Sequence, residues 1–439
     1  MQVDKTTILD IGLLDNNESI GLASHLDFCK TNGGKAKWMQ LITHPLNTKY
    51  AIESRQSALK IFLAEKAFLD QMKISNGTCL VIDQFYGNSF SPIPKQIGLL
   101  GAYWYQFWNK TDYALIAYSV HHLITFVQAL DQWLKVFEPY SNNTELNALI
   151  APIKKHITQL DCLRVDSKDL KKDPQAVLEL GYFFYYQYKA KIRKLQAAFY
   201  ILDAYYSMAT AIQEFQFIFP EWVDQPTPMI EFEGAVHPLV TNAVANDLSL
   251  SSESGFLFLT GANMAGKSTF IKTVGLLAYL AHIGMGVPAK KCKLTILDGL
   301  ITNLTTADNV LKGESYFFNE VQRIKHTLTQ VMDGKKYLVL IDELFKGTNI
   351  IDAMKCSTKV IEGLQGLKQS LCILSTHLYE ISAPLKVYPH IQFCYFETAV
   401  IDKTLIFNYN LKKGVSQDRL GFLILEREGV VDLIERINT

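Results

Sequence analysis

The chain has no excess of charge of either sign: 43 lysines and arginines are balanced by 43 aspartates and glutamates in 439 residues. A global positive field of the kind that draws a protein onto a polyanion is thereby excluded, so any contact with DNA must be local or made by encirclement. Cysteine is sparse. The seven, Cys29, Cys79, Cys162, Cys292, Cys356, Cys372 and Cys394, are odd in number and include no C-x-x-C pair, which argues for a reducing compartment and against a zinc site. The N-terminus, MQVDKTTILDIG, lacks an apolar run ahead of a small-residue cleavage site, so no secretory signal is expected and the cytoplasm is the expected location. One stretch, Tyr113 to Leu130, is free of formal charge. Its Ser119, His121, His122, Thr125 and Gln128 suit a buried helix better than a lipid-facing one, so stable membrane association is not expected. There is no internal repeat and no low-complexity segment.

What is present begins with 49% hydrophobic residues, enough for the cores of two or three domains. The first 220 or so residues carry apolar residues at helical spacing with few glycines. The clearest landmark, Tyr182 to Phe219, has no internal proline or glycine. As one helix it would run about 57 Å at ~1.5 Å per residue, a strut or lever; two shorter packed helices are the alternative. Pro220, Pro226 and Pro228 then punctuate the chain and mark a domain boundary. Beyond them the short β-rich runs Gly255 to Thr260 (GFLFLT), Tyr337 to Ile341 (YLVLI) and Ser370 to Leu374 (SLCIL) alternate with helical stretches. That alternation predicts an α/β domain with a mainly parallel sheet, preceded by an all-α domain. The expected division is an N-terminal segment at 1–25, a helical domain at 26–225 and an α/β domain at 226–439.

Gly261-Ala262-Asn263-Met264-Ala265-Gly266-Lys267-Ser268, followed by Thr269, fits G-x-x-x-x-G-K-[ST]. It stands where a phosphate loop must, between the strand GFLFLT and the helix-forming run TFIKTVGLLAYLAHIG. The glycines let the backbone fold around phosphates, whose charge is met by loop N–H groups and the helix N-terminus. Lys267 is placed to reach the β- and γ-phosphates, and Ser268 to offer an oxygen to Mg²⁺. ATP and Mg²⁺ are the expected ligands. Some 70 residues on, YLVLIDE ends a strand in Asp342-Glu343, which puts both carboxylates at the C-terminal edge of a parallel sheet. There Asp342 can hold Mg²⁺ and Glu343 can polarise the attacking water. His377, after the strand of LSTHLYE, should reach the same edge, close to the γ-phosphate or the water.

Together these residues resemble the ATPase domain of the MutS family. TGANMAGKST is similar to the family's TGPNMGGKST, including Asn263 and Met264. Gly286-Val287-Pro288-Ala289 resembles its YVPA segment, DELFKGTNIIDA resembles DE-x-GRGT-S-T-x-DG through Lys346, Gly347, Thr348 and Asp352, and LSTHLYE resembles the segment around the family's switch histidine. Gly313-Glu314-Ser315-Tyr316-Phe317 resembles G-x-STF, with Glu320 at the matching offset. The resemblance implies that Ser315 contacts the nucleotide of an opposite subunit, hence a homodimer with two composite ATP sites. Residues 31 to 59 and the run ILDAYYSMATAIQEFQFIFPEW resemble the family's core and lever, and EGAVHPLV with ANDLSL the approach to the phosphate loop. The closing GVSQDRLGFLILEREGVVDLIERINT resembles the family's dimerisation segment.

The departures shape the expectation. A mismatch-recognition domain has no counterpart ahead of the core, so a short form is expected, and Ala243 stands where relatives often stack an aromatic ring on adenine. Candidate DNA contacts are Lys189, Lys191, Arg193 and Lys194 on the long helix and Lys168, Lys171 and Lys172 before it, unless these are solvated helix faces. The expected function is a MutS-like, Mg-dependent ATPase whose nucleotide-driven dimer closure controls DNA binding in mismatch repair or recombination. The alternative is a nucleotide-gated scaffold that recruits protein partners.

Overall fold

Apolar periodicity with few helix breakers gives helices through the first half of the chain, and short β-branched and aromatic runs give strands in the second. The computed structural model describes residues 1–15, 21–71, 73–157, 170, 173–304, 316–401, 404–416, 429–430 and 433–434. Two compact units divide the chain, and neither is contiguous in sequence. Met1–His25, Pro45–Ile52 and Phe215–Thr439 form one; Leu26–His44 and Glu53–Glu214 form the other.

The helical unit is organised on the helix Lys189–Glu214, which packs against Asn32–Ile42 and Thr144–Ile157. Phe62, Trp133, Phe137 and Phe199 make an aromatic core, with Phe62 and Phe137 centroids 5.1 Å apart. Asp203, buried on the long helix, accepts hydrogen bonds from Lys30 N (2.9 Å), Thr31 N (2.9 Å) and Thr31 Oγ1 (2.7 Å). Thr31 in turn caps its own helix by accepting from Gly34 N at 3.0 Å. A Cβ at Gly34 would fall 2.0 Å from Asp203 Oδ2, so the two helices approach this closely only over a glycine.

The expected strut exists with different limits. The backbone is helical from Pro174–Tyr182 through a π-helical stretch, Phe183–Tyr188, into Lys189–Glu214. It starts before Tyr182 and stops before Phe219, because Gln216 turns to φ +54° and Ile218 bridges to Val287 just ahead of Pro220. The helix Lys110–Phe137 contains the charge-free stretch. By length and composition it could cross a membrane, but half of its apolar window is buried inside the protein, Ile116, Val120, Leu123 and Val127 among it.

In the α/β unit the strands are β1 (Glu221–Trp222), β2 (Ile230–Ala235), β3 (Asn246–Leu250), β4 (Phe256–Thr260), β5 (Lys291–Leu294), β6 (Gly299–Asn303), β7 (Tyr337–Asp342), β8 (Ser370–Ser375), β9 (Ile391–Ile401) and β10 (Thr404–Lys413). They form a four-stranded sheet, β1-β5-β2-β3, and a six-stranded one, β10-β9-β4-β8-β7-β6. Among the described residues of the larger sheet, only the edge pair β9–β10 is antiparallel. β4 lies inside it with all five residues buried, which is why GFLFLT reads as an unbroken apolar run rather than an alternating one. Asp342 pairs with Ser375 across β7 and β8, so the strand ends that carry the chemistry are level.

The N-terminus belongs to this unit. Gln2 bridges to Gly299 of β6 in parallel, and the helix Lys5–Asp10 buries Asp10 beneath the strand. Asp10 Oδ2 accepts from Thr302 Oγ1 (2.8 Å) and Leu304 N (3.1 Å) and lies 3.6 Å from Arg323.

Candidate nucleotide site

The phosphate loop closes on itself through its lysine. Lys267 opens the helix Lys267–His282, and its Nζ donates to Gly261 O (2.8 Å) and Ala262 O (3.0 Å). Burial lowers the Lys267 pKa, while Glu343 and Asp342 act to raise it. Two glycines are required by conformation: Gly261 has φ +142° and Gly266 φ +102°, both unfavourable for a side chain. Met264, the non-glycine at φ +70°, is exposed at the tip, whereas Ala265 is buried.

Around the loop is a cavity of about 550 Å³, walled by Asn263, Met264, Gly266, Lys267, Ser268, Thr269 and Glu343, and by His237, Ala243, Phe396 and Tyr409. Ser268 Oγ donates to Asp342 Oδ2, and Ser375 Oγ donates to Asp342 Oδ1. The hydroxyl and carboxylate that Mg²⁺ would need are therefore in contact, and both are hard oxygen donors of the kind that ion prefers.

Glu343 follows on the same strand end. Its N–H donates to Ser375 O at 3.0 Å, and its Oε2 lies 3.0 Å from Lys346 Nζ and 3.7 Å from His377 Nδ1. The His377 ring, and then Lys346, hold the Glu343 pKa down to about 2, against burial, which pushes it up. The sequence-derived residues thus converge: loop, Asp342, Glu343 and His377 stand at one sheet edge. Ser315 lies outside the described residues, as do Lys168, Lys171 and Lys172.

The turn after Glu343 is unusual. Glu343 and Phe345 both have φ +60°, a left-handed conformation that side chains resist unless their surroundings impose it. Glu320, from the helix Tyr316–Val331, supplies part of that imposition. Its carboxylate is buried and accepts from Lys346 N and Gly347 N, each at 3.3 Å, while Phe317 one turn earlier packs on Phe345 with centroids 5.7 Å apart. Burial raises the Glu320 pKa, and those two N–H groups pull it back. Motif offset marks Glu320, but its grip on the turn is a tertiary contact with no local signature. If this turn aims Glu343, Glu320→Ala should lower the single-turnover hydrolysis rate roughly tenfold, ~1.4 kcal/mol, with ATP affinity within about twofold of wild type. Single-turnover assays beside equilibrium nucleotide binding measure the split; equal losses in both would contradict it.

Two cavity residues carry little sequence signal. His237 sits in the EGAVHPLV segment; burial and then Lys272 lower its pKa, and Nδ1 accepts from Leu239 N at 3.3 Å, as a neutral ring can. Tyr409, far along the chain in β10, stands over the loop, where a Cβ on Gly266 would meet Tyr409 Cδ1 at 3.2 Å. Asn246 Nδ2 donates to Tyr409 O at 3.0 Å, and Asn246 Oδ1 accepts from Leu411 N at 2.7 Å, tying this strand to the cavity wall. Of the basic residues proposed for DNA, Arg193 pairs with Asp83, Lys189 donates to Tyr86 O at 3.3 Å, and Lys191 lies over the Tyr188 ring at 4.6 Å. Those three already have partners within the helical unit.

A phosphate loop between an interior parallel strand and a buried helix, with a Ser–Asp pair and a Glu–His pair at the same strand ends, defines a phosphate-loop α/β domain. Residues 257–436 match the family model for MutS domain V. Over those residues the chain carries a MutS domain V. Among curated proteins it is similar to the DNA mismatch repair protein MutS of Petrotoga mobilis, 31% identical over 255 residues, or 57% of this chain and 31% of that protein. The MutS protein of Geobacillus kaustophilus is 29% identical over 257 residues, 57% of this chain and 28% of the relative. That of Halalkalibacterium halodurans is 28% identical over 279 residues, 60% and 32%. The match thus spans about a third of the length of these relatives.

Proposed function

We propose that this chain is an ATP hydrolase of the MutS type whose nucleotide state controls a hold on DNA. The observation that carries the reading is the convergence at one cavity of Lys267, Ser268 and Glu343, with Asp342 bonded to Ser268 and His377 beside Glu343. Phosphates would lie against the loop N–H groups and the N-terminus of Lys267–His282, with Lys267 turning from its two carbonyls to the anion. Ser268 and Asp342 would hold Mg²⁺, which offsets phosphate charge when bound. With Ala243 too small to stack, the base is proposed to lie against Tyr409 or the neutral His237 of the cavity wall.

Glu343 is placed to act on water. A carboxylate whose pKa is about 2 is a weak proton acceptor at neutral pH, so its work is to orient the nucleophile through an ionised oxygen, with the water's proton passing to a γ-phosphate oxygen as the bond to the leaving diphosphate breaks. Ser315 is proposed to complete the site of a second copy, which makes dimer closure the event that couples hydrolysis to the helical unit. The relatives are named for DNA mismatch repair, and DNA is accordingly the proposed ligand, in the cytoplasm.

The partnered Lys189, Lys191 and Arg193 and the balanced charge favour few phosphate contacts, which keeps the nucleotide-gated scaffold as a second reading. A salt titration of binding to duplex, mismatched and branched DNA separates the two. A DNA-gripping ATPase should lose affinity as salt rises, by about 0.9 in the log–log slope for each phosphate neutralised. No salt-sensitive binding in any nucleotide state would leave the scaffold.

A further inference from the structure

The helix Leu99–Trp108 in the helical unit presents an apolar face that nothing in the nucleotide site uses. Leu99, Leu100 (79% exposed), Tyr103, Trp104 (62%), Phe107 (73%) and Trp108 (72%) all point outward, while Ala102 is buried. The Trp104 and Trp108 rings stack on each other, with centroids 6.5 Å apart and planes 8° from parallel. The helix is held in place, since Tyr105 OH donates to Ser91 O at 3.1 Å and the helix packs on Lys110–Phe137. We propose that this face is a contact between two copies of the chain, made helical unit to helical unit and without nucleotide.

Size comes first. At about 150–250 Å² for a whole aromatic side chain, these side chains offer roughly 800 Å² of apolar surface. That is about one partner's share of a standard interface, and more than the largest apolar patch of an ordinary monomer, about 300–600 Å². Charge then selects the occupant. Between Lys95 and Lys110 the sequence holds no charged residue, so the face can meet its own image without repulsion at its centre. Lys95 and Lys110 are exposed at the two ends, and the Asp112 carboxylate is turned to Ser91 N at 2.8 Å. A charge-free aromatic centre with a polar rim has the character of a homodimer interface, whereas non-obligate partners meet on surfaces about as polar as the rest of the protein. A lipid surface would call for a helix with a free basic face, but the opposite side of this one, at Ala102, is packed into protein.

The test uses the full chain carrying Lys267→Ala, without nucleotide, so that any dimer depending on the ATP site is silent and a failure of the proposed function leaves this result readable. Sedimentation equilibrium should show a monomer–dimer transition, and Trp104→Glu/Phe107→Glu should raise the dissociation constant by a hundredfold or more, about the loss of two interface anchors. Circular dichroism should be unchanged, because both side chains are exposed. A second reading works on the unsubstituted face should the double variant misfold. Trp38, Trp133 and Trp222 are buried, so acrylamide quenching reports on Trp104 and Trp108 and should fall as protein concentration rises. A chain that stays monomeric with quenching independent of concentration overturns the proposal. So does a dimer that the double variant leaves intact, or a monomer that floats with phosphatidylcholine–phosphatidylglycerol vesicles.

Discussion

Replacing Lys267 with alanine should cut kcat/KM for ATP by about a thousandfold or more while leaving the thermal unfolding of the chain nearly unchanged. The first half rests on position. Lys267 is the buried cation of the loop, and an oriented charge aimed at a transferring phosphoryl group is worth on the order of 10²–10³ in rate, with weaker nucleotide binding added to it. The second half rests on what the lysine does without nucleotide. It bonds two loop carbonyls, Gly261 O and Ala262 O, but burial works against its charge, so deleting it removes a penalty along with two hydrogen bonds. Steady-state hydrolysis and a melting curve on the same preparation check both. Turnover surviving in the variant would remove the loop from the active centre; loss of turnover with a collapsed melt would point to folding instead. Lys267→Met, which keeps the buried stem, should behave like the alanine variant in turnover.

The contrast between what was legible in the sequence and what was not follows from the range of the interactions. The loop, Asp342 and Glu343 are readable because each is local: a glycine pattern beside an apolar strand, and acids at a strand end. The parallel sheet is readable for the same reason, since FLFLT, YLVLID and SLCILS are short unbroken apolar runs. Tyr409 is not, because its place over Gly266 comes from β10 pairing at the sheet edge, more than 140 residues from the loop, and nothing beside it in sequence signals a cavity. The N-terminal segment is a similar case. Its bond to the α/β unit is a bridge to Gly299 and a buried Asp10 beneath Thr302, both made across almost 300 residues. The ends of the strut were hidden for another reason. Aromatic periodicity continues past Glu214, and only the left-handed Gln216 and the bridge at Ile218 turn the chain out of the helix.

Glu343→Gln should separate binding from chemistry. Glutamine keeps the shape of the side chain and one acceptor oxygen, so nucleotide affinity should stay within a few fold, while kcat should fall by about 10²–10³, the range for losing one preorganised electrostatic group at the reacting centre. The variant should therefore hold ATP without consuming it, and the ATP-bound state should accumulate. Its electrostatics give an independent signature. The folded pKa of Glu343, about 2, lies below the ordinary 4.5, so the ionised carboxylate stabilises the fold above about 4.5, and that contribution is lost as pH falls toward 2. Glutamine cannot ionise, so the variant should be less stable than wild type at neutral pH and the difference should close on acidification. Rapid-quench hydrolysis, nucleotide binding and melting curves from neutral to acid pH measure all three. If affinity collapsed together with kcat, Glu343 would be a binding residue, and the water-orienting role would pass to another group at the sheet edge, with His377 the nearest.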